Sequence, residues 1–138
     1  MPADEITAEA SPPGVAAVAA AFDGFARRNR LPESLTQPTQ VALDEILSNI
    51  VKAGFEPGVT GNMNVLFAIA GPSVEIVVSY NGAPFDPLSR PDPLTRGRLE
   101  DRAVGGLGIY LVKKLMDAVV YERVGETNRL RLTKRVGT

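Results

Sequence analysis

Glu45 and Asn49 stand four residues apart in the stretch LDEILSNIVKAGF, and a helix turns such a pair onto one side. A carboxylate and a neutral amide oxygen so placed can organise Mg²⁺ and a water molecule, or they can simply face solvent. Farther on, GGLGIYLVKKLMD sets Gly105, Gly106 and Gly108 directly against an apolar-periodic run. The first turn of a helix carries unpaired N–H groups and the positive end of the dipole, and a phosphate approaching it needs β-carbons out of the way. The same glycines also suit a turn and close packing. Arg90, Arg96, Arg98 and Arg102 precede them, and each guanidinium fits phosphate oxygens as well as a solvated surface.

The elements that must hold these groups follow from periodicity. Val15, Val18, Phe22 and Phe25 recur at spacings of three and four and predict an amphipathic helix with Arg27 and Arg28 in its last turns. LPESLTQP reads as a connection, after which a second helix starts at Val41 or Ala42 and runs toward Gly54. Its apolar side is Leu43, Ile46, Leu47, Ile50 and Val51, and its polar side holds Asp44, Glu45, Ser48, Asn49 and Lys52. MNVLFAIAGPSVEIVVSYNG predicts two strands joined at AGPS, with Val74, Ile76 and Val78 on one face.

Residues 81 to 104 carry Pro84, Pro87, Pro91 and Pro93 without a sustained period, and a loop of that length is functional or disordered. The GGLG helix ends near Asp117. AVVYERVGETNRLRLTK then predicts a hairpin with strands at about 118 to 124 and 128 to 134 and a turn at GETN. The aromatic residues Tyr80, Phe85, Tyr110 and Tyr121 are too scattered for a stacking platform and are expected to serve packing. Helices alternating with antiparallel pairs predict an α/β fold, a two-layer sandwich whose sheet carries its helices on one face.

Composition narrows the chemistry. The chain has 138 residues, enough for one domain, with 44% hydrophobic and 22% charged content. Fifteen basic against sixteen acidic side chains give a net charge of -1, which argues against non-specific nucleic-acid binding. The absence of Cys and His excludes disulfides, thiolate and imidazole catalysis and nearly every zinc site, leaving a hard cation such as Mg²⁺. No apolar run approaches the ~20 residues of a membrane helix, and the acidic N-terminus lacks a basic leader, so a cytoplasmic protein is expected. The P-loop pattern is missing, and GGLGIYLV lacks the third glycine of a dinucleotide fingerprint.

Taken in order, LDEILSNIVKAGF, VSYNGAPFDPL, GGLGIYLVKKLMD and YERVGETNRLRLTK resemble the bacterial anti-sigma-factor serine kinases. These belong to the ATPase superfamily shared by gyrase, Hsp90, histidine kinases and MutL. The resemblance spans about residues 15 to 134 and implies a histidine-kinase-like ATPase fold with a mixed, mostly antiparallel sheet. It implies a domain over 13–136 with a lid at about 86–104, preceded by a flexible segment or edge strand at 1–12.

The resemblance further implies ATP and Mg²⁺ as cofactors, transfer of the γ-phosphoryl to a serine of a small antagonist protein, binding of a sigma factor, and a homodimer. Glu45 matches the residue that polarises the attacking group, and Asn49 matches the Mg²⁺ ligand. Lys52, Tyr80, Gly82, Arg102, Gly105, Gly106, Leu107 and Gly108 complete the nucleotide-binding set.

One residue departs from that pattern. The family has an Asp before the NG dipeptide, where its carboxylate accepts a hydrogen bond from the adenine amino group, and this chain has Tyr80. A neutral phenol lacks the charge assistance of a carboxylate, a difference of about 1.5–3 kcal/mol. Two readings follow: a kinase with altered base recognition, or a nucleotide-independent interaction module of the same fold. KAGF after Asn49 is a smaller departure, since the family commonly has a histidine there. A histidine autokinase is disfavoured by the absence of histidine, and a gyrase-type ATPase by the absence of transducer domains.

Overall fold

The structure, a computed structural model, describes residues 3–55, 61–89 and 106–136. Strand β1 (Ala3–Glu9) leads into helices α1 (Pro12–Arg28) and α2 (Glu33–Ala53), followed by strands β2 (Asn62–Ala70) and β3 (Ser73–Tyr80). A short 3₁₀ turn at Pro87–Ser89 precedes helix α3 (Gly106–Leu115) and strands β4 (Ala118–Val124) and β5 (Thr127–Arg135). The strands form one sheet in the order β1-β2-β3-β5-β4, and every neighbouring pair is antiparallel.

The layers follow from strand alternation. Val74, Ile76, Val78 and Tyr80 of β3 are buried beside Met63, Val65 and Phe67 of β2 and Leu130 and Leu132 of β5. The helices cover that face, which makes the two-layer sandwich the periodicity predicts. The opposite face carries Val77 and Arg131 in register with the exposed Val120.

Helix α1 begins at a Ser11 cap whose hydroxyl accepts the Gly14 N–H at 3.2 Å, with Pro12 just inside the helix. Its predicted apolar positions Val15, Val18, Phe22 and Phe25 are all buried. Phe22 and Phe25 meet Phe67 of β2 with ring centroids 5.4 and 5.8 Å apart, so aromatic packing fixes α1 to the sheet.

Helix α2 starts earlier than the sequence reading places it. It opens at Glu33, so most of LPESLTQP is helical, and Pro38 lies inside it. Tertiary packing overrides the proline: Leu35 and Thr39 are both buried, and the Thr39 hydroxyl donates to the Leu35 carbonyl at 2.7 Å. Pro38 is the sixth residue of the helix, so it forfeits one intrahelical bond, the one an N–H there would make to the Ser34 carbonyl.

The C-terminal hairpin is also tighter than expected. Val124 pairs with Thr127, so β5 begins one residue before 128 and the turn reduces to Gly125 and Glu126. Asn128, where the expected turn and strand overlap, therefore lies within the strand. Among the described residues no helix is long and apolar enough to cross a membrane.

Candidate functional site

Helix α2 sets the axis of the site. Glu45, Asn49 and Ala53 follow one another at intervals of four along it, so they form a row about 12 Å long at 1.5 Å per residue. Glu45 and Asn49 are half-buried, whereas Asp44 and Lys52 are exposed. Lys52 lines a separate groove between α1 and α2 with Val15, Ser48 and Val51. The structure thus brings Glu45 and Asn49 together and turns Lys52 toward another surface.

At the Glu45 end of the row stands the start of α3. A β-carbon built on Gly108 would overlap Glu45 Oε2 and lie 3.1 Å from Cδ and 3.7 Å from Cγ. The carboxylate therefore rests directly against the α3 backbone, where only glycine leaves room. Helix α3 is anchored below this point by the buried Ile109, Val112 and Met116, while Lys134 Nζ donates to the Leu115 carbonyl at 2.8 Å. Gly106 and Leu107 open α3. Arg102 and Gly105 lie outside the described residues, as do most of the expected lid and Arg90, Arg96 and Arg98.

At the Ala53 end is a cleft of about 340 Å³ lined by Ala53, Gly54, Phe55, Gly82, Ala83, Pro84 and Phe85. Its side chains are apolar, two of them aromatic, and the backbone supplies its polar groups; its volume falls in the range of small-molecule sites. Gly82 has φ of 106°, a conformation that a side chain would strain, and its α-carbon faces the Gly54 carbonyl and the Phe55 ring. Arg123 Nη1 donates to the Gly82 carbonyl at 2.8 Å from the far side of the loop.

Tyr80 does not line the cleft. It is 1% exposed on the helix side of β3, and its hydroxyl donates to the carbonyl of the wall residue Phe85 at 2.6 Å. Burial, with the Tyr121 phenol and the Asp86 carboxylate near it, pushes the Tyr80 hydroxyl above its ordinary range, so it stays a neutral donor. In register beside it on β5 is Asn128, which is fully buried. The Asn128 amide donates to the Tyr80 and Ala83 carbonyls, both at 3.2 Å. Its oxygen accepts the Phe85 N–H at 3.0 Å and the Tyr121 hydroxyl.

Asn128, Phe55 and Arg123 are absent from the sequence-based site, and Phe85 and Tyr121 enter that reading only as packing residues. The place of Asn128 at the junction of the expected turn and strand hid its role. The available signal was a polar residue that strand alternation puts on the inward face together with Leu130 and Leu132.

The family profile of the histidine kinase-like ATPase domain matches residues 8–134. The chain is 30% identical over 112 residues to the serine/threonine-protein kinase BtrW of Bordetella bronchiseptica, covering 81% of this chain and 79% of that protein. This chain belongs to the anti-sigma-factor serine kinase family of histidine kinase-like ATPases. It is also 30% identical over 122 residues to the serine-protein kinase RsbW of Listeria monocytogenes, covering 84% of this chain and 78% of that one. The crystal structure of the RsbU and RsbW domains of Rv1364c from Mycobacterium tuberculosis superposes with a TM-score of 0.70 over 99% of this chain, at 19% identity. That likeness shows the shared fold, and this chain spans 33% of the longer protein. Membership in this family points to a kinase or regulatory role.

Proposed function

We propose that this chain is an ATP- and Mg²⁺-dependent protein serine kinase and anti-sigma regulator, which phosphorylates a small antagonist protein, binds a sigma factor and works as a homodimer in the cytoplasm. The observation that carries the reading is the placement of the Glu45 carboxylate against Gly108 at the start of α3, with Asn49 one turn along α2 and an apolar cleft one turn beyond that. The row has a base-sized cleft at one end and a carboxylate facing a helix start at the other. An extended nucleoside triphosphate has the same order of parts.

The residues present fit such a ligand. Phe55, Phe85 and Ala83 offer a flat apolar setting for a purine base, and the Gly82 conformation keeps that wall thin. The Asn49 amide oxygen suits Mg²⁺, which takes one or two protein oxygens and leaves its other positions to phosphate and water. Bound ATP and Mg²⁺ would supply the transferable phosphoryl group and neutralise its charge. Glu45 acts as the acceptor of the serine hydroxyl proton, which makes the oxygen a better nucleophile, and the N-terminal amides of α3 favour negative charge near them. Gly106, Leu107 and Gly108 shape that helix start, with Gly105 and Arg102 of the lid assigned to the phosphates by resemblance. The printed names of the relatives, a serine/threonine-protein kinase and a serine-protein kinase, support the reaction class.

The test is transfer of labelled γ-phosphate from ATP to a serine of a co-purified antagonist protein. Transfer that requires Mg²⁺ and Glu45 is expected, and its absence with a folded wild-type chain and a bound antagonist would overturn the kinase reading.

Tyr80 favours a second reading, a nucleotide-independent interaction module. The residue at the family's base-recognition position is a neutral phenol already committed to the Phe85 carbonyl. Titration calorimetry separates the two: no heat with ATP and Mg²⁺ for a folded wild-type chain that still binds its protein partner is the result for the module, and saturable heat with ATP and Mg²⁺ is the result for the kinase.

A further inference from the structure

The glycine run at the start of α3 invites a phosphate explanation, and for Gly108 the structure supplies a different one. The space that its β-carbon would take is occupied by the Glu45 carboxyl group, with Oε2, Cδ and Cγ all within van der Waals range or closer. No backbone atom is among the nearest neighbours of that position outside the helix itself. Gly14 and Gly54 differ, because a β-carbon at either would strike a backbone carbonyl that cannot move. At Gly108 the obstacle is the free end of a flexible side chain, so alanine would leave the helix intact and displace the carboxylate.

We infer that Gly108 is a positioning residue for Glu45: the missing β-carbon is the socket that holds the carboxylate against the start of α3. The socket constrains one side of the Glu45 side chain, and α2 constrains the other, since Ile46 and Leu47 on its buried side fix the helix to the core. A carboxylate so held keeps its oxygen in one place. Displacing it by about 1 Å is enough to slow a proton-coupled transfer on the order of 100-fold. This inference deepens the proposed kinase function and rests on it for the catalytic consequence, while the contact itself can be tested without any nucleotide.

Alanine is a better helix former than glycine, by less in the first turn than in the interior, so Gly108→Ala alone should gain some helix stability and lose whatever moving Glu45 costs. The experiment is a thermal-unfolding cycle of wild type, Gly108→Ala, Glu45→Ala and Glu45→Ala/Gly108→Ala, all without ligand. In the Glu45→Ala background the added methyl is expected to raise the unfolding midpoint, by at most roughly 3 °C. In the wild-type background the gain should be smaller or absent. Equal shifts in both backgrounds, or failure of both Gly108→Ala chains to fold, would overturn the socket.

The catalytic part is read from steady-state phosphoryl transfer by Gly108→Ala. A fall in kcat on the order of 100-fold, with KM for ATP changed less than about threefold, is the expected split. A raised KM with kcat preserved would place Gly108 beside the phosphates and overturn the positioning role. Absence of transfer in wild type would instead overturn the kinase reading, leaving the unfolding cycle to decide the contact.

Discussion

Asn128 and Tyr80 sit opposite one another on β5 and β3, and the Asn128 amide reaches past its partner to hold the loop that forms one wall of the cleft. Both amide hydrogens and both acceptor positions of Asn128 are in use, on Tyr80, Ala83, Phe85 and Tyr121. A fully satisfied polar group in a dry setting specifies one arrangement, because any partial loss leaves donors or acceptors stranded. The cleft wall is therefore fixed from behind by the sheet.

Asn128→Ala should lower stability by about 2–4 kcal/mol, since it removes the partner of the buried Tyr80 carbonyl and of two part-buried backbone groups, at Ala83 and Phe85, and leaves a small void. Urea denaturation would show this as a lower midpoint with an unchanged slope. A loss below about 0.5 kcal/mol would mean that water or a shifted loop satisfies the same groups.

Tyr80→Phe removes the hydroxyl bonded to Phe85 and should cost about 1–2 kcal/mol at neutral pH. The pH dependence carries a sign. The folded-state value of the phenol is raised above an unfolded value of about 10, so the contribution is whole below pH 10. Above that pH the unfolded chain releases the proton while the folded chain keeps it, and stability falls. Unfolding free energies of wild type and Tyr80→Phe, measured from pH 7 to 11, should therefore converge above pH 10. Parallel curves would contradict the burial of Tyr80.

Glu45→Gln keeps the shape of the side chain and removes its capacity to take a proton. Turnover should drop by about 10²–10⁴-fold while affinity for ATP is retained, as measured by single-turnover transfer alongside calorimetry. An unaffected rate would assign Glu45 to packing against Gly108 alone.

Much of the fold that frames the site was legible in the residue order, and less of the site itself. The spacing of Val15, Val18, Phe22 and Phe25 reports α1 because only one face of that helix is buried. Alternation through Val74, Ile76 and Val78 extends to Tyr80 and puts its side chain inward. The start of α2 was hidden because Pro32 and Pro38 bracket a polar stretch, and the burial of Leu35 and Thr39 that holds it helical comes from neighbours distant in sequence. The contact of Glu45 with Gly108 is likewise long-range: each residue looked like a ligand contact, and neither could show that they touch each other. Asn128 stood where the turn motif and the expected strand overlap, and the boundary between them depends on pairing across the sheet.

The central claim is that the row from Ala53 through Asn49 to Glu45 accepts a magnesium-bound nucleotide. Calorimetric titration of ATP into wild type and Asn49→Ala, each with and without Mg²⁺, tests it most directly. Saturable binding that needs Mg²⁺ and weakens on the order of 10-fold or more in Asn49→Ala is the result expected. No binding by the folded wild-type chain, or binding indifferent to both the cation and Asn49, would contradict it.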